Sequence, residues 1–469
     1  MKADILSAYP DYQIDIDKQL NGLISNDEHV FVVLDDDPTG VQCVHDINVY
    51  TDWTYESMKE AFSNKLFFIL TNSRALTESE SRKLHEQIID VISKVSKDTG
   101  KKYFYISRGD STLRGHYPME IDILAKGLIN DYGKVDGQIL LPFFKEGGRF
   151  TIDDVHYVKY GDELVPCAET EFAKDKTFGY KSSDLKEYIE EKSNGKILKE
   201  EVRSISLDDL RSFNIDKIYD LLMKAENDTK IIVNAIDEND VKVFCIALYK
   251  AIAQNKVFNF RSAAALVKCI GGISTRPLLQ RNEMISEETE NGGLIIIGSH
   301  TDKTTRQLNS LQTIEGIESL QFECSKILES DEAFQEEIDR CVTIEEELIS
   351  QGKTVAVYTE RVLLSFADDD PEKALKRSVR ISEGVYQLVK NLKVKPAFVV
   401  AKGGITSADV GVKGLGIRKA LVLGQIEPGI PVWKALDEAK FPNIPYIIFP
   451  GNVGEDDTLK NAVRKLLSK

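Results

Sequence analysis

The most constraining feature of this chain is a short apolar run that ends at once in a polar turn, met four times before residue 150. The four segments are HVFVVLDDDPTG, KLFFILTNSRAL, YFYISRGDSTLRG and QILLPFFKEGGR. Between the second and third, Leu84, Ile88, Val91, Ile92 and Val95 recur at three- and four-residue steps, the period of an amphipathic helix. Strands alternating with helices predict a mainly parallel sheet flanked by helices. Ligands bind such sheets beyond the carboxyl ends of the strands, and all four polar turns fall at those ends.

Residues 150–230 are polar and irregular in pattern, with a helical stretch near 184–196. TKIIVNAID and VKVFCIALYKAIAQ restore the strand–helix rhythm. The charged segment RPLLQRNEMISEETENGG (276–293) ends in two glycines and is expected to be a linker. A second series follows it: GLIIIGSHTDKTTRQL, KTVAVYTER, the long helix DPEKALKRSVRISEGVYQLVKNL, PAFVVAKGGITSADVGVKGLG, KALVLGQIEPGIPVW and IPYIIFPGNVGEDDTL. A chain of 469 residues exceeds the roughly 250–300 that one core sustains. The expectation is therefore two α/β domains, over 1–280 and 290–469, each with a mainly parallel sheet flanked by helices and with the active site in the cleft between them.

Composition narrows the function. At 42% hydrophobic and 29% charged the chain reads as globular. A formal net charge of -16 repels phosphate backbones, so nucleic acid is not an expected partner. A small anion would have to be met locally by Arg, Lys and backbone N–H groups. The six cysteines are scattered without a CxxC pair, and the six histidines show no metal-ligand spacing, so neither a zinc site nor a disulfide framework is expected. The polar N-terminus is unlike a secretory signal, and no apolar run approaches the roughly 20 residues of a membrane span. A cytoplasmic protein with no membrane partner is expected.

The chemistry lies in the turns. Asp35-Asp36-Asp37-Pro38-Thr39-Gly40 places carboxylates at a strand end, where they can grip a substrate hydroxyl or take its proton; the alternative is a solvated acidic turn. Arg74, in Thr71-Asn72-Ser73-Arg74, offers a planar fork for a carboxylate, or is a surface arginine. Arg108-Gly109-Asp110-Ser111-Thr112-Leu113-Arg114-Gly115 combines two guanidiniums, a carboxylate, two hydroxyls and two glycines. That mixture suits an anion bearing hydroxyls; the alternative is a helix cap at Asp110 or Ser111, and capping and binding can coexist. In the second half, Ser299 follows a strand and precedes a helix. Lys402-Gly403-Gly404-Ile405-Thr406-Ser407 brings two glycines and two hydroxyls to a helix start, where backbone amides and the helix dipole favour phosphate. No GxxxxGK[ST] loop occurs, and Gly414-Leu415-Gly416 lacks the third glycine of a dinucleotide fingerprint. Phe449-Pro450-Gly451-Asn452-Val453-Gly454 closes a further strand, as a nucleotide-edge loop or a plain turn.

Taken together, these motifs resemble the four-carbon acid sugar kinase family from about Phe31 to Leu459. DDDPTGVQ, TNSRAL, RGDSTLRG and PFFKEGGR resemble its acid-sugar-binding N-terminal domain. GSHTDKTTRQ, AKGGITS, LGQIEPGIPVW and FPGNVG resemble its nucleotide-binding C-terminal domain. The resemblance implies ATP-dependent phosphorylation of a hydroxyl of threonate, erythronate or a 3-oxo-tetronate, with Mg²⁺ accompanying the ATP. It makes Asp36, Asp37, Arg74, Asp110, Ser111, Thr112 and Arg114 substrate-binding candidates, with Asp37 or Asp110 as the base. It makes Ser299, Lys402, Gly403, Gly404, Ile405, Thr406, Ser407 and Gly451 ATP-binding candidates. At one position the chain departs from the pattern: many members carry an acid after the two glycines, where Ile405 stands here. GGITS, DDDPTG and the stretch Val155–Val158 resemble a subgroup that includes a domain of plant multidomain fusion proteins. The rival reading is a non-catalytic sensor of sugar acid or nucleotide on the same two domains.

Overall fold

The computed structural model describes residues 1–9, 12, 15–361, 364, 371–451 and 453–468. Asp370, at the start of an expected helix, and Asn452, in the last turn, lie outside the described residues. The chain forms two compact units, Met1–Val44 with Asp52–Thr275, and His45–Thr51 with Arg276–Lys469. Among the described residues no helix is long and apolar enough to cross a membrane.

The first unit begins with β1 (Val30–Asp35). The chain then makes β2 (Ile47–Tyr50), which belongs to the second unit. It returns as β3 (Leu66–Leu70), β4 (Tyr103–Arg108), β5 (Gly137–Leu141), β6 (Arg149–Ile152), β7 (Val155–Tyr160), β8 (Glu163–Pro166), β9 (Arg203–Ile205), β10 (Thr229–Val233) and β11 (Phe258–Ser262). A parallel sheet runs in the order β3-β1-β4-β11-β5-β10-β9. Strands β1, β3 and β4 are buried along their whole length, as strands covered by helices on both faces must be. The helix Glu78–Thr99 starts at a capping box between Thr77 and Glu80, and Gly100 ends it with φ 70°. Ile88, Ile92 and Val95 face the core as their spacing predicts, whereas Leu84 and Val91 are half-buried flanks. β6, β7 and β8 form a separate antiparallel sheet in the region expected to be irregular.

The second unit adds β12 (Leu294–Ile297), β13 (Ile317–Phe322), β14 (Thr354–Thr359), β15 (Val399–Lys402), β16 (Lys419–Glu427), β17 (Ile430–Ala435) and β18 (Pro445–Phe449). The strands β13-β14-β12-β15-β18 are parallel, and β17, β16 and β2 extend them antiparallel. The stretch 276–293, expected as a linker, joins this unit instead. Leu279, Met284 and Ile285 are buried in its core, and the Leu279 N–H donates to the Gln425 carbonyl at 2.8 Å. Three apolar residues among many charges were enough to anchor it.

In each unit the chain's path across the sheet first reverses beside the unit's opening strand. From β1 it goes outward to β3 and then back across to β4. From β12 it goes outward to β13 and β14 and then across to β15. A crevice opens between the strand ends at such a switch point. The turns flanking it are Asp36–Gly40 and Gly109–Gly115 in the first unit, and Gly298–Thr301 and Gly403–Gly404 in the second.

One buried group is unrelated to these crevices. Glu345, on the helix Asp331–Ser350, is fully buried, and neither carboxyl oxygen has a hydrogen-bond partner among the described residues. Burial, with Glu346 beside it, raises its pKa well above the ordinary carboxylate value. The unfolded chain therefore ionises first. The group's favourable contribution is complete below the unfolded pKa and is lost as pH rises through the folded one. Glu345→Met should stabilise the protein by about 1–3 kcal/mol near pH 8 and by less near the ordinary carboxylate pKa. Urea denaturation at the two pH values measures this; equal stability of the two proteins at the higher pH contradicts it.

Candidate functional site

Parallel register sets Asp35 beside Leu70 and Arg108, and Arg108 beside Ser262. The charged residues after β1, β3 and β4 are thereby gathered into one cluster. Arg74 lies at its centre. Its guanidinium donates to Asp37, pairs with Asp110 at 3.3 Å and stands 3.9 Å from Asp36. Arg114 Nε donates to Asp110 at 2.7 Å, and its guanidinium lies 3.7 Å from Asp175. Below them Arg108 lies 3.6 Å from Asp35 and 4.0 Å from Asp36.

The carboxylates fall into two kinds. Burial would raise Asp37, but Arg74 and two hydrogen bonds from Thr39 hold it below its ordinary pKa. Burial acts on Asp110 too and is outweighed by Arg74, Arg114 and the Thr112 hydroxyl, which hold it far below. Both remain ionised acceptors. Asp35 and Asp36 are raised by burial despite their arginines. Neither oxygen of Asp36 has a hydrogen bond among the described residues.

The loop after β4 is held by its carbonyls. His156 Nε2 donates to Ser111 O at 2.8 Å, Tyr180 to Thr112 O at 2.8 Å, Tyr188 to Leu113 O at 2.9 Å and Arg261 to Arg114 O at 3.2 Å. Burial lowers the His156 pKa to about 4, so the ring is neutral and its Nδ1 accepts from Thr151 at 3.0 Å. In a trans peptide the N–H points away from the preceding carbonyl. Of the N–H groups that follow these four carbonyls, that of Leu113 donates to Asp110 O at 3.1 Å, and those of Thr112, Arg114 and Gly115 turn away from the inward side and donate to no described residue. Gly109 and Gly115 are required here: a Cβ would lie 2.2 and 2.7 Å from the Arg261 guanidinium. Arg261 in turn pairs with buried Glu120 at 3.1 Å.

In the second unit Ile297 pairs with Lys402, and Lys402 with Phe449, which brings three turns together. A Cβ on Gly403 (φ 125°) would lie 3.3 Å from the Ser299 Cβ, and one on Gly451 would lie 3.6 Å from Ser299 Oγ. Gly298 admits no side chain, since its Cβ would meet Thr406 Oγ1 at 2.3 Å. Gly404 faces open space. Lys402 is fully buried, and its amine donates to the carbonyls of Pro450 at 2.6 Å and Gly451 at 3.0 Å. Burial, reinforced by Lys303, pushes its pKa down to about 7. Ser407 is turned away from the turn, buried with its hydroxyl on Ala401 O, and Thr406 is buried too. Ile405 is 64% exposed. It borders a cavity of about 200 Å³ lined also by His300, Cys324, Thr359, Ile381 and Val385.

Comparison with known proteins gives these two crevices a common setting. Residues 31–270 match a sugar-binding N-terminal domain, and residues 294–459 match a nucleotide-binding C-terminal domain. The chain belongs to the four-carbon acid sugar kinase family. Two solved structures share its fold. Haemophilus influenzae protein HI1011 is 17% identical, with TM-score 0.62, over 93% of this chain and 100% of that one. A Salmonella typhimurium LT2 protein named as a tRNA synthase is 15% identical, with TM-score 0.68, over 93% and 99%. At these identities the likeness is one of fold alone. No curated protein matches the sequence.

The first crevice lies in the sugar-binding domain and the second in the nucleotide-binding domain. The sequence reading named Asp36, Asp37, Arg74, Asp110, Ser111, Thr112 and Arg114, and the first unit gathers all of them. Ser111 takes part through its backbone carbonyl, and Thr112 through a buried hydroxyl on Asp110. The reading missed Arg261, Glu120, His156, Tyr180 and Tyr188, which set the loop's geometry. A lone arginine inside the buried strand FNFRS was the signal available for Arg261. Among the described residues no group of three or more His, Cys, Asp or Glu side chains could hold a metal ion, and Ile405 puts an alkyl group beside the glycine turn.

Proposed function

We propose that this protein is an ATP-dependent kinase that phosphorylates a hydroxyl of a small sugar acid of the threonate, erythronate or 3-oxo-tetronate class. The observation that carries the reading is the loop Asp110–Gly115, in which the carbonyls of Ser111, Thr112, Leu113 and Arg114 are tied inward. It leaves outward N–H groups between ionised carboxylates and guanidiniums, a surface matched to a ligand that is both anionic and hydroxylated. Asp37 and Asp110 accept the substrate hydroxyls. In a loose phosphoryl-transfer transition state the acceptor hydroxyl loses its proton late, so an ionised, well-aligned carboxylate serves even with a low pKa. Arg74 and Arg114 fix both carboxylates and offset their charge.

On the nucleotide side the phosphates lie against the turn of Gly403 and Gly404 with Ser299 and Gly451. The base packs on Ile405 in the apolar cavity, which gives an exposed isoleucine a reason to be there. Six free cysteines and the use of ATP fit a cytoplasmic location. Incubation with ATP and a panel of four-carbon acids, followed by assay of ADP, tests the proposal. Acid-dependent ADP is expected; binding of acid or nucleotide without any ADP would make the protein a sensor.

Lys402 gives a second test. A polyphosphate beside its amine favours the ammonium form and raises the pKa from about 7. Above that pH ATP must bind together with a proton, and its affinity must fall as pH rises. Calorimetry at about pH 8.5 in buffers of different ionisation enthalpy should show uptake approaching one proton, and close to none at about pH 6. Binding without proton uptake at the higher pH would place the phosphates elsewhere.

A further inference from the structure

We infer that Arg149 takes the substrate's carboxylate and so sets the preference for an acid over a neutral sugar. The inference rests on the kinase reading above and names the specificity residue of that site.

Five guanidiniums meet around the loop after β4, and four already have acidic partners. Arg74 faces Asp36, Asp37 and Asp110; Arg108 faces Asp35 and Asp36; Arg114 faces Asp110 and Asp175; Arg261 faces Glu120. Each of these charges is offset within the protein before any ligand arrives. Arg149 differs. Among the described residues its guanidinium donates only to the carbonyl of Gly147 in its own turn, its Nε is buried with no acceptor, and no carboxylate stands within ion-pair distance. Burial lowers its pKa, and Asp110 is the foremost of the charges that oppose this. A partly desolvated guanidinium without a counter-ion is costly, and an incoming carboxylate would supply both the charge and the hydrogen bonds it lacks.

Its position suits the role. Arg149 opens β6 and is only partly buried, so it remains reachable. Its guanidinium carbon lies 5.4 Å from the centre of the Phe172 ring, and that of Arg114 lies 5.1 Å from the same ring. One aromatic side chain thus carries both the arginine bound to Asp110 and the arginine with no acid. β6 is fixed to the loop through Thr151 and His156, whose ring donates to Ser111 O. A substrate whose hydroxyls reach Asp110 has Arg149 as the unoffset cation of the cluster. If Arg149 merely braced Phe172 through its cation–π contact, it would be indifferent to substrate charge.

That indifference is the test. Threonate and its neutral amide are compared as substrates for the parent, Arg149→Lys and Arg149→Met, with melting curves for all three. Arg149→Lys keeps the charge and loses the fork. It should raise the KM for threonate roughly tenfold to a hundredfold while leaving the KM values for the amide and for ATP unchanged. Added guanidinium ion should restore part of the threonate activity of Arg149→Met. Equal losses for acid and amide, or no loss for either, overturn the inference. Titration of threonate without ATP separates this from failure of the kinase reading. A parent that binds threonate but forms no ADP ends the kinase reading, and weaker binding by Arg149→Lys still upholds Arg149. Equal binding by the two proteins, or no binding by the parent, ends the inference.

Discussion

Asp37→Asn is expected to lower turnover by at least about 100-fold while ATP binds as before. Asn keeps the volume of Asp and can still accept from the Thr39 N–H that caps the turn at 2.8 Å. It removes the negative charge that orients the acceptor hydroxyl and neutralises Arg74. The loss should lie in turnover rather than in folding, because Arg74 keeps Asp110 at 3.3 Å and Asp36 at 3.9 Å. Asp110→Asn, assayed in parallel, decides which carboxylate takes the proton: the base shows the larger fall in kcat, the other the larger rise in KM. Activity comparable to the parent in both variants would remove the two carboxylates from the chemistry.

Gly404→Val is expected to abolish measurable ATP binding, a loss of at least about 100-fold, and to leave the protein folded. The two effects separate because of where the side chain goes. A Cβ at Gly404 meets nothing within 4 Å, so the protein accommodates it. The space it fills is the one assigned to the phosphates. Gly298→Val is the contrasting case. Its Cβ would strike Thr406 Oγ1 at 2.3 Å, and it should lower the melting temperature as well as the affinity. Calorimetry with ATP and a melting curve on each variant check both statements. Unchanged ATP affinity in Gly404→Val would place the phosphates away from this turn.

Much of this was legible in the sequence, for identifiable reasons. Buried parallel strands are continuous apolar runs, so HVFVVL, KLFFIL and YFYIS declare themselves. Turns at their carboxyl ends must be polar, and that is where Asp36, Asp37, Arg74 and Asp110 were sought and where they lie. β6 to β8 were not legible. RFTIDDVHYVKYGDELVP breaks into strands of four to six residues with charges inside them, and only pairing with one another gives them a face to bury. β2 was missed because four residues, Ile47–Tyr50, find their partner in β16, far along the chain. The tyrosines that hold the loop carbonyls lie about 70 residues from the peptides they bind, and no local pattern marks such a contact. Ser407 misled in the other direction. A hydroxyl at a helix start suggests a ligand contact, yet it bonds to the carbonyl of Ala401, six residues earlier on β15.

The most direct measurement of the central claim is phosphorus NMR of the γ-phosphate of ATP during incubation with the protein and a four-carbon acid. The account predicts that this signal is replaced by that of a phosphate monoester on the acid, in step with ADP. Conversion to inorganic phosphate alone, or an unchanged ATP spectrum with every acid tried, would contradict it.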